Sequence, residues 1–195
     1  MNKDGHVLNA ALLAIGLGLI LTVDIAISAE RLFTAGVTAK PSPSDEIQTS
    51  IDFAAQLGRS VLAFSLPIIL GALFPDVDTA FGRHRKTLHN LPVLLLFILF
   101  PPIFGNLQFV WIGVATHYLL DVVGSKRGIA LFYPLSASEY DLPIGVATSS
   151  RWTTSVTLIV TAGELAVLFI IHTYIIALDT APMVVNETVV SVLMS

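Results

Sequence analysis

The sequence predicts an all-α membrane protein, a polytopic helical bundle of about five transmembrane spans that forms a single membrane-embedded domain over residues 1–195. Composition is the first reason, because 54% of the residues are hydrophobic and only 12% are charged. A soluble domain carries about 25% charged residues. The second reason is that the apolar residues, which give a mean hydropathy of +0.81, are gathered into five long runs.

The first two runs are long enough for helices that cross the hydrocarbon core, which takes about 20 residues. The run 7–27 exceeds the apolar core of a cleaved signal peptide, about 7 to 15 residues, and carries Asp24. We therefore expect it to be retained, although a small-residue stretch after it fits a cleavage site. The run 54–74 has Arg59 near one end, where its charged head can reach the interface. Pro67 inside the run predicts a kink that neighbouring helices tolerate.

The remaining runs cover 91–104, 107–123 and 153–178. The third is short, and it joins the fourth through a Gly-Asn turn, which predicts a tight helical hairpin. The segment 28–52, between the first two runs, is polar and contains prolines, so we expect an irregular loop there. Glu164 near the middle of the last run is costly in a bilayer, and we interpret it as a buried hydrogen-bonding group outside the functional site.

The basic residues predict the orientation of the chain. Seven of the ten Lys and Arg residues lie on one side if the N-terminus is cytoplasmic, and such residues are enriched in cytoplasmic loops. The sequence thus predicts a multi-pass cell-membrane protein with its N-terminus inside. The bilayer is its expected partner. The net charge of −4 gives no basic surface, so no nucleic-acid partner is expected.

Most of the histidines collect at the cytoplasmic ends of the predicted spans, together with three aspartates. The members of this layer are His6, Asp76, Asp78, His84, His89, His117 and Asp121. His117 and Asp121 are four residues apart on a predicted helix, so they share a face and can share a divalent ion. Imidazole with carboxylate suits Zn²⁺ or a similar transition ion better than Ca²⁺. The chain has no cysteine, so thiolate ligands are excluded.

The two loop histidines, His84 and His89, are five residues apart and would lie on different faces of a single helix. We expect His89 to be a metal ligand. His84 could be a second ligand, a group that supports a ligand, or a proton carrier. His172, toward the other side of the membrane, is interpreted as an interfacial or interhelical polar residue.

Four short motifs, in this order, carry a resemblance to a known family. They are Gly71-Ala-Leu-Phe-Pro-Asp-Val-Asp78, His84-Arg-Lys-Thr-Leu-His89-Asn90, His117-Tyr-Leu-Leu-Asp121 and Phe132-Tyr-Pro-Leu-Ser136. The sequence thereby resembles the YdjM-like membrane proteins, regarded as membrane-bound metal-dependent hydrolases and distantly similar to zinc-dependent phospholipase C and the related zinc nucleases. The threonine that directly precedes a histidine in that family is displaced here by one position, at Thr87. The resemblance implies that metal is carried by His6, Asp76 or Asp78, His89, His117 and Asp121.

The function expected from these residues is that of a metal-dependent hydrolase with one or two divalent ions, and zinc is the metal that suits the ligands best. Phosphoester bonds in a lipid or lipid-linked substrate, such as a phospholipid, are the expected target because the layer lies at headgroup depth. Asp78 or His84 would take a proton, and Arg85 would hold phosphate oxygens. Two alternatives use the same ligands, a divalent-ion transporter and a non-enzymatic metal-binding membrane protein.

Overall fold

The described residues form a bundle of five α-helices and one short 3-10 helix. We describe it from a computed structural model, which covers the backbone of residues 3–34, 43–104, 107–143, 145–147 and 150–175. The elements are α1 (Lys3–Thr34), α2 (Pro43–Leu73), the 3-10 helix (Pro75–Ala80), α3 (Leu91–Phe104), α4 (Val110–Gly124) and α5 (Thr153–Tyr174). Extended structure within these ranges is limited to two isolated bridges. The predicted all-α fold is confirmed.

In the part of the chain that the structure describes, three stretches are long and apolar enough to cross a membrane, namely Lys3–Ile27, Ser50–Ala80 and Thr153–Tyr174. The other two helices, α3 and α4, are also apolar but shorter, with 14 and 15 residues. Apolar side chains cover the outer faces of the bundle, as at Leu62 and Ile159, which are 74% and 71% exposed. Such broad apolar surface is what a lipid-facing helix requires.

The first two helices extend beyond the hydrophobic runs that predicted them. Because α1 continues to Thr34 and α2 begins at Pro43, the expectation of an irregular loop over 28–52 was wrong at both ends. The apolar run of α1 ends before the helix does, because polar residues can continue a helix outside the hydrophobic layer. Pro43 can begin α2, because a proline at the first helical position loses no hydrogen bond. At the other end of the chain α5 ends at Tyr174, and the rest of the predicted span lies mostly outside the described residues.

The core lies between α1, α2 and α4. In the described residues α1 packs against α2 and α5, α2 packs against α4, and α3 packs mainly against α4. Small residues of α1 face larger ones of α2, which lets the helix backbones approach. The fully buried members are Ala10, Ala14, Leu17, Phe64, Ile68 and Ala72. This core holds the ends of three helices at one level, and the polar layer lies directly above it.

Two glycines set the crossing of α2 and α4. A Cβ atom added at Gly71 would lie 2.1 Å from the carbonyl oxygen of Val110, and one added at Gly113 would lie 2.1 Å from that of Ile68. No side chain fits in such a contact, so the backbones meet directly. The crossing brings the carbonyl end of α2 against the face of α4 that carries His117, four residues after Gly113.

Candidate metal centre

The candidate metal centre lies where four segments meet at one end of the bundle. These are the start of α1, the 3-10 helix, the loop 81–90 before α3, and the last turns of α4. Two groups of side chains each bring their ligand atoms within 4.8 Å of one another. They are His6 with His117 and Asp121, and Asp76 with His84 and His89. These groups contain every residue that the sequence suggested as a ligand except Asp78, which contacts both His84 and His89.

Asp78 orients His89. Its Oδ2 atom lies 3.1 Å from His89 Nδ1, and because an ionised carboxylate only accepts hydrogen bonds, Nδ1 carries the proton. The neutral ring then presents a lone pair on Nε2. Burial lowers the pKa of His89 and outweighs the raising effect of Asp78 and Asp121. His89 is therefore a neutral imidazole at pH 7, which is the form that binds metal.

His117 is oriented in the same sense by a backbone group. Its Nδ1 atom donates to the carbonyl oxygen of Ala72 at 2.6 Å. Ala72 belongs to the last turn of α2, whose carbonyls have no partner within their own helix. The lone pair of a neutral His117 thus lies on Nε2, and this atom is 3.1 Å from Nε2 of His89. Two lone pairs that face each other at this distance repel unless a cation lies between them.

Two carboxylates complete the arrangement. An Asp76 oxygen lies 3.7 Å from His89 Nε2 and 3.6 Å from His117 Nε2. An Asp121 oxygen lies 3.8 Å and 3.7 Å from the same two nitrogens. Four ligands at about 2.0–2.2 Å from a tetrahedral zinc ion are about 3.3–3.6 Å apart. The separations given above, 3.1–3.8 Å, lie within about 0.2 Å of that range, so small side-chain shifts would let the four donors share one divalent ion.

The charges of the site also call for a cation. Asp78 and Asp121 are buried, Asp76 is about one-third exposed at its side chain, and Arg85 is the buried cation beside them. Carboxylates therefore outnumber the buried guanidinium in the described part of the site, and gathering negative charge in a buried place is costly. A divalent ion would reduce that cost.

The second oxygen of Asp121 has different neighbours. Its Oδ1 atom lies 3.5 Å from His6 Nε2 and 3.8 Å from a guanidinium nitrogen of Arg85. The His6 ring stacks on His117, with ring centroids 3.8 Å apart. Arg85 itself donates to Ser125 at 3.2 Å and to the carbonyl of Gly128 at 3.3 Å. His6 and Arg85 thus contact the oxygen of Asp121 other than the one nearest the paired histidine nitrogens.

Asp78 also holds His84. Its Oδ1 atom lies 3.0 Å from His84 Nδ1, and its Oδ2 atom accepts from the backbone N–H of Leu88 at 3.2 Å. Both oxygens of Asp78 are therefore engaged, and direct metal binding would displace one of these contacts. His84 is 42% exposed at its side chain and faces a cavity that also contains Asp76. Of the two loop histidines, His84 is the accessible one.

The whole chain matches a known family. Residues 1–194 fit the sequence profile of the family described as YdjM inner membrane protein. The chain belongs to this family. No curated protein and no solved structure matches it. The resemblance found in the motifs is thus confirmed for the YdjM family, while the distant similarity to zinc-dependent phospholipase C and its related nucleases stays a prediction.

In this YdjM-family chain, two polar residues that the sequence did not single out shape the site. The hydroxyl of Tyr118 accepts from the backbone N–H of Asn90 at 3.2 Å and also donates to the carbonyl of Leu88. Asn90 accepts from the N–H of Val93 at 3.1 Å, which caps α3. Both contacts fix the segment that carries His89. The position of Asn90 just before an apolar run was a usable capping signal, whereas the partner of Tyr118 depends on the tertiary fold.

Glu164 of the YdjM-family chain lies closer to the centre than the sequence suggested. It accepts a hydrogen bond from Thr116 at 2.5 Å, and Thr116 precedes His117 on α4. Asn9 lies 3.2 Å from the same hydroxyl. These contacts agree with its interpretation as a buried hydrogen-bonding group, and Glu164 belongs to neither group of candidate ligands. It lies close to the centre because α5 approaches α1 and α4 just beneath it. His172, by contrast, pairs with Asp24 at 3.7 Å toward the other end of the bundle.

Proposed function

We propose that this protein is a membrane-bound metal-dependent hydrolase with its site at the cytoplasmic face. The observation that carries the proposal is the pair of Nε2 atoms of His89 and His117, 3.1 Å apart, with carboxylate oxygens of Asp76 and Asp121 within 3.8 Å of His89. The side of this set toward Asp76 opens to a cavity. A structural ion has a closed shell, whereas a catalytic ion keeps a position open for substrate or water. The open side therefore supports catalysis.

One ion fits the surroundings better than two. A second ion bridged by Asp121 would have to lie near its Oδ1 atom, where the Arg85 guanidinium is 3.8 Å away. The positive charge of Arg85 would repel a second metal ion at this position, because like charges repel strongly in a buried site. Arg85 thus provides the positive charge that a second ion would otherwise provide. We therefore assign one divalent ion, zinc by its nitrogen and oxygen ligands, and give Arg85 a role in positioning Asp121.

The groups that would move protons are already arranged. An ion bound there would polarise a phosphoryl oxygen and make water a nucleophile at neutral pH. His84, held through Nδ1 by Asp78 and about half exposed, is placed to take and return a proton at its other nitrogen. Asp78 keeps this ring in one tautomer while it orients His89. A phosphoester in a lipid or lipid-linked substrate is the target that fits a site at headgroup depth.

Metal analysis of the detergent-purified protein tests the site. Wild-type protein should contain about one equivalent of zinc or a similar ion, and His117→Ala should lose most of it because half of the nitrogen ligands are removed. His172→Ala is the matched control, since His172 is also a buried histidine but pairs with Asp24. Equal metal content in wild type and His117→Ala would overturn the proposal.

A hydrolysis screen then separates an enzyme from a metal-binding protein. The purified protein is offered soluble phosphomonoesters and phosphodiesters and short-chain phospholipids. We expect hydrolysis that chelator abolishes, that zinc restores, and that His84→Ala reduces by about 10²–10⁴-fold with the metal content unchanged. Metal binding without hydrolysis of any of these classes would favour the non-enzymatic alternative.

The transporter alternative is favoured by one observation, the polar residues Asn9, Thr116 and Glu164 just beneath the centre. An ion path would have to continue from them to Asp24 and His172. In the described part of the bundle, the buried α1 positions between these two polar groups include Leu13, Leu17 and Leu21. This apolar section interrupts the path, so hydrolysis remains the better-supported function.

A further inference from the structure

We propose that the site admits a lipid carrying a phosphate group through the cleft between α2 and α3, with one hydrocarbon chain in the cleft and the phosphate beside Lys3. This inference rests on the proposed function and names the substrate class for the same site. It is carried by two cavities that share residues and differ in chemistry. One has the character of a headgroup site, and the other has the character of a chain site.

The headgroup cavity adjoins the metal centre. It measures about 480 Å³ and is lined by Lys3, Leu73, Asp76, Val77, Thr79 and His84. Asp76 and His84 bring it to the open side of the ligand set, and Lys3 is the basic residue among its lining residues. A phosphate in this cavity could meet a cation on each side, the ammonium of Lys3 and the divalent ion. Such charge-assisted contacts are the strong ones in phosphate recognition.

The chain cavity continues from the headgroup cavity into the apolar part of the bundle. It measures about 280 Å³ and shares Leu73 and Val77 with the first. The rest of its lining is apolar and comes from α2, α3, the start of α4 and the segments just after α2 and just before α4, namely Leu70, Phe74, Phe97, Leu107 and Val110. The cavity exists because α3 packs mainly against α4 and leaves its other side open toward α2.

The size of the chain cavity limits what it can hold. A cavity of about 150 Å³ accommodates benzene, so 280 Å³ has room for part of one hydrocarbon chain but not for two chains side by side. A second chain, where the lipid has one, would remain in the bilayer. The lining residues Val77 and Leu107 are 50% and 45% exposed, which leaves the cleft accessible from the lipid phase.

Another groove provides the comparison. It measures about 460 Å³, lies between α4 and α5, and is lined mainly by apolar residues such as Leu119 and Ile159. None of the residues assigned to the metal centre lines it. A lipid chain there would place its headgroup away from Asp76 and His84, so the groove suits ordinary membrane lipid rather than substrate.

Photo-crosslinking tests the placement without requiring turnover. The probe is a single-chain alkyl phosphate with a photoreactive group at the end of its chain, added to the metal-loaded protein in detergent. We expect labelling near Phe97 and Leu107. Val77→Trp and Leu107→Trp should each reduce labelling about tenfold by filling the cleft, and Ile159→Trp in the other groove should not. Two blocking variants are used so that misfolding of one does not decide the result.

Recognition of the phosphate is tested by changing the head of the probe. Lys3→Glu should weaken binding of the alkyl phosphate by about tenfold, the size expected for one lost charged hydrogen bond. The same variant should bind the matching alkyl alcohol as well as wild type does. Labelling at Leu119 or Ile159 would overturn the inference. So would labelling that stays at the wild-type level in both blocking variants and in Lys3→Glu.

The two proposals fail in distinguishable ways. If the alkyl phosphate labels the cleft as expected but no phosphoester is hydrolysed, the hydrolase function fails and the lipid site stands. If soluble phosphoesters are hydrolysed while Val77→Trp leaves both lipid hydrolysis and labelling unchanged, the cleft is refuted and the hydrolase stands.

Discussion

At the scale of single residues, Asp78 is notable because it contacts both loop histidines. It is fully buried, and its two oxygens contact the Nδ1 atoms of His84 and His89 at 3.0 Å and 3.1 Å. One carboxylate thereby sets the tautomer of both rings. The accessible ring is suited to proton transfer and the buried one to metal binding, so a single side chain separates the two tasks.

Asp78→Asn should lower metal affinity without removing a ligand. Asparagine has an NH₂ group in place of one carboxylate oxygen, and this group donates hydrogen bonds instead of accepting them. Only one of the two histidine rings therefore keeps its acceptor, and the tautomer of the other ring is no longer fixed. Loss of such an orienting group typically costs 10–100-fold in metal affinity, which competition with a chelator would measure. Asp24→Asn, at the other end of the bundle, should leave the affinity unchanged. Unaltered metal affinity in Asp78→Asn would show that His89 is oriented by other contacts.

The sequence predicted which residues gather but not how each one acts. Histidines and aspartates at the ends of predicted helices could be placed in one layer from helix direction alone. The hydrogen bond from His117 to the carbonyl of Ala72 could not be foreseen, since any residue supplies a carbonyl. The burial of Arg85 against Asp121 was also hidden, because a basic cluster beside a membrane helix is normally a surface anchor.

At the scale of elements, the crossing of α2 and α4 determines the geometry of the centre. The contact at Gly71 and Gly113 lets the last turn of α2 reach the face of α4 that carries the ligands. The sequence predicted these helices but not their point of contact, because glycines in membrane helices have several uses. Likewise, the approach of Glu164 to Thr116 depends on where α5 packs, which its own hydrophobic run does not specify.

Gly113→Ala should destabilise the bundle and weaken metal binding together. The added Cβ would lie 2.1 Å from the carbonyl oxygen of Ile68, so α2 must move away and carry Ala72 from His117. Overpacking of this kind costs about 1–3 kcal/mol, which thermal unfolding in detergent would reveal. Gly58→Ala is the matched control, since a Cβ at Gly58 has no neighbour within 4 Å. Equal melting of Gly113→Ala and wild type would contradict the close crossing.

At the scale of the whole molecule, the centre and the loop 125–143 lie at the same end of the bundle. The backbone of Ala130 donates to the carbonyl of Arg85 at 2.9 Å, and Leu91 donates to that of Leu131 at 2.9 Å. The loop is thus attached to the segment that carries His84 and His89. A measurement of which side of the membrane this loop faces also locates the site.

Single-cysteine labelling would determine the orientation. The chain has no cysteine, so one introduced thiol is the only target of a membrane-impermeant reagent. Ser138→Cys, exposed at the site end, should be labelled only when the reagent reaches the cytoplasm. Ser50→Cys, exposed on α2 far from Asp76 along the helix, should be labelled from outside. The reverse pattern would refute the cytoplasmic site while leaving its geometry intact.

The shortness of α3 and α4 has a further consequence for the surrounding lipid. With 14 and 15 residues, these helices are about 21–23 Å long, whereas an undisturbed hydrocarbon layer measures about 30 Å. Hydrophobic mismatch of this size is relieved in part by local thinning of the bilayer. The bilayer beside α3 and α4 should therefore be thinner than elsewhere. The phosphate groups of neighbouring lipids would then lie closer to the protein before any lipid binds.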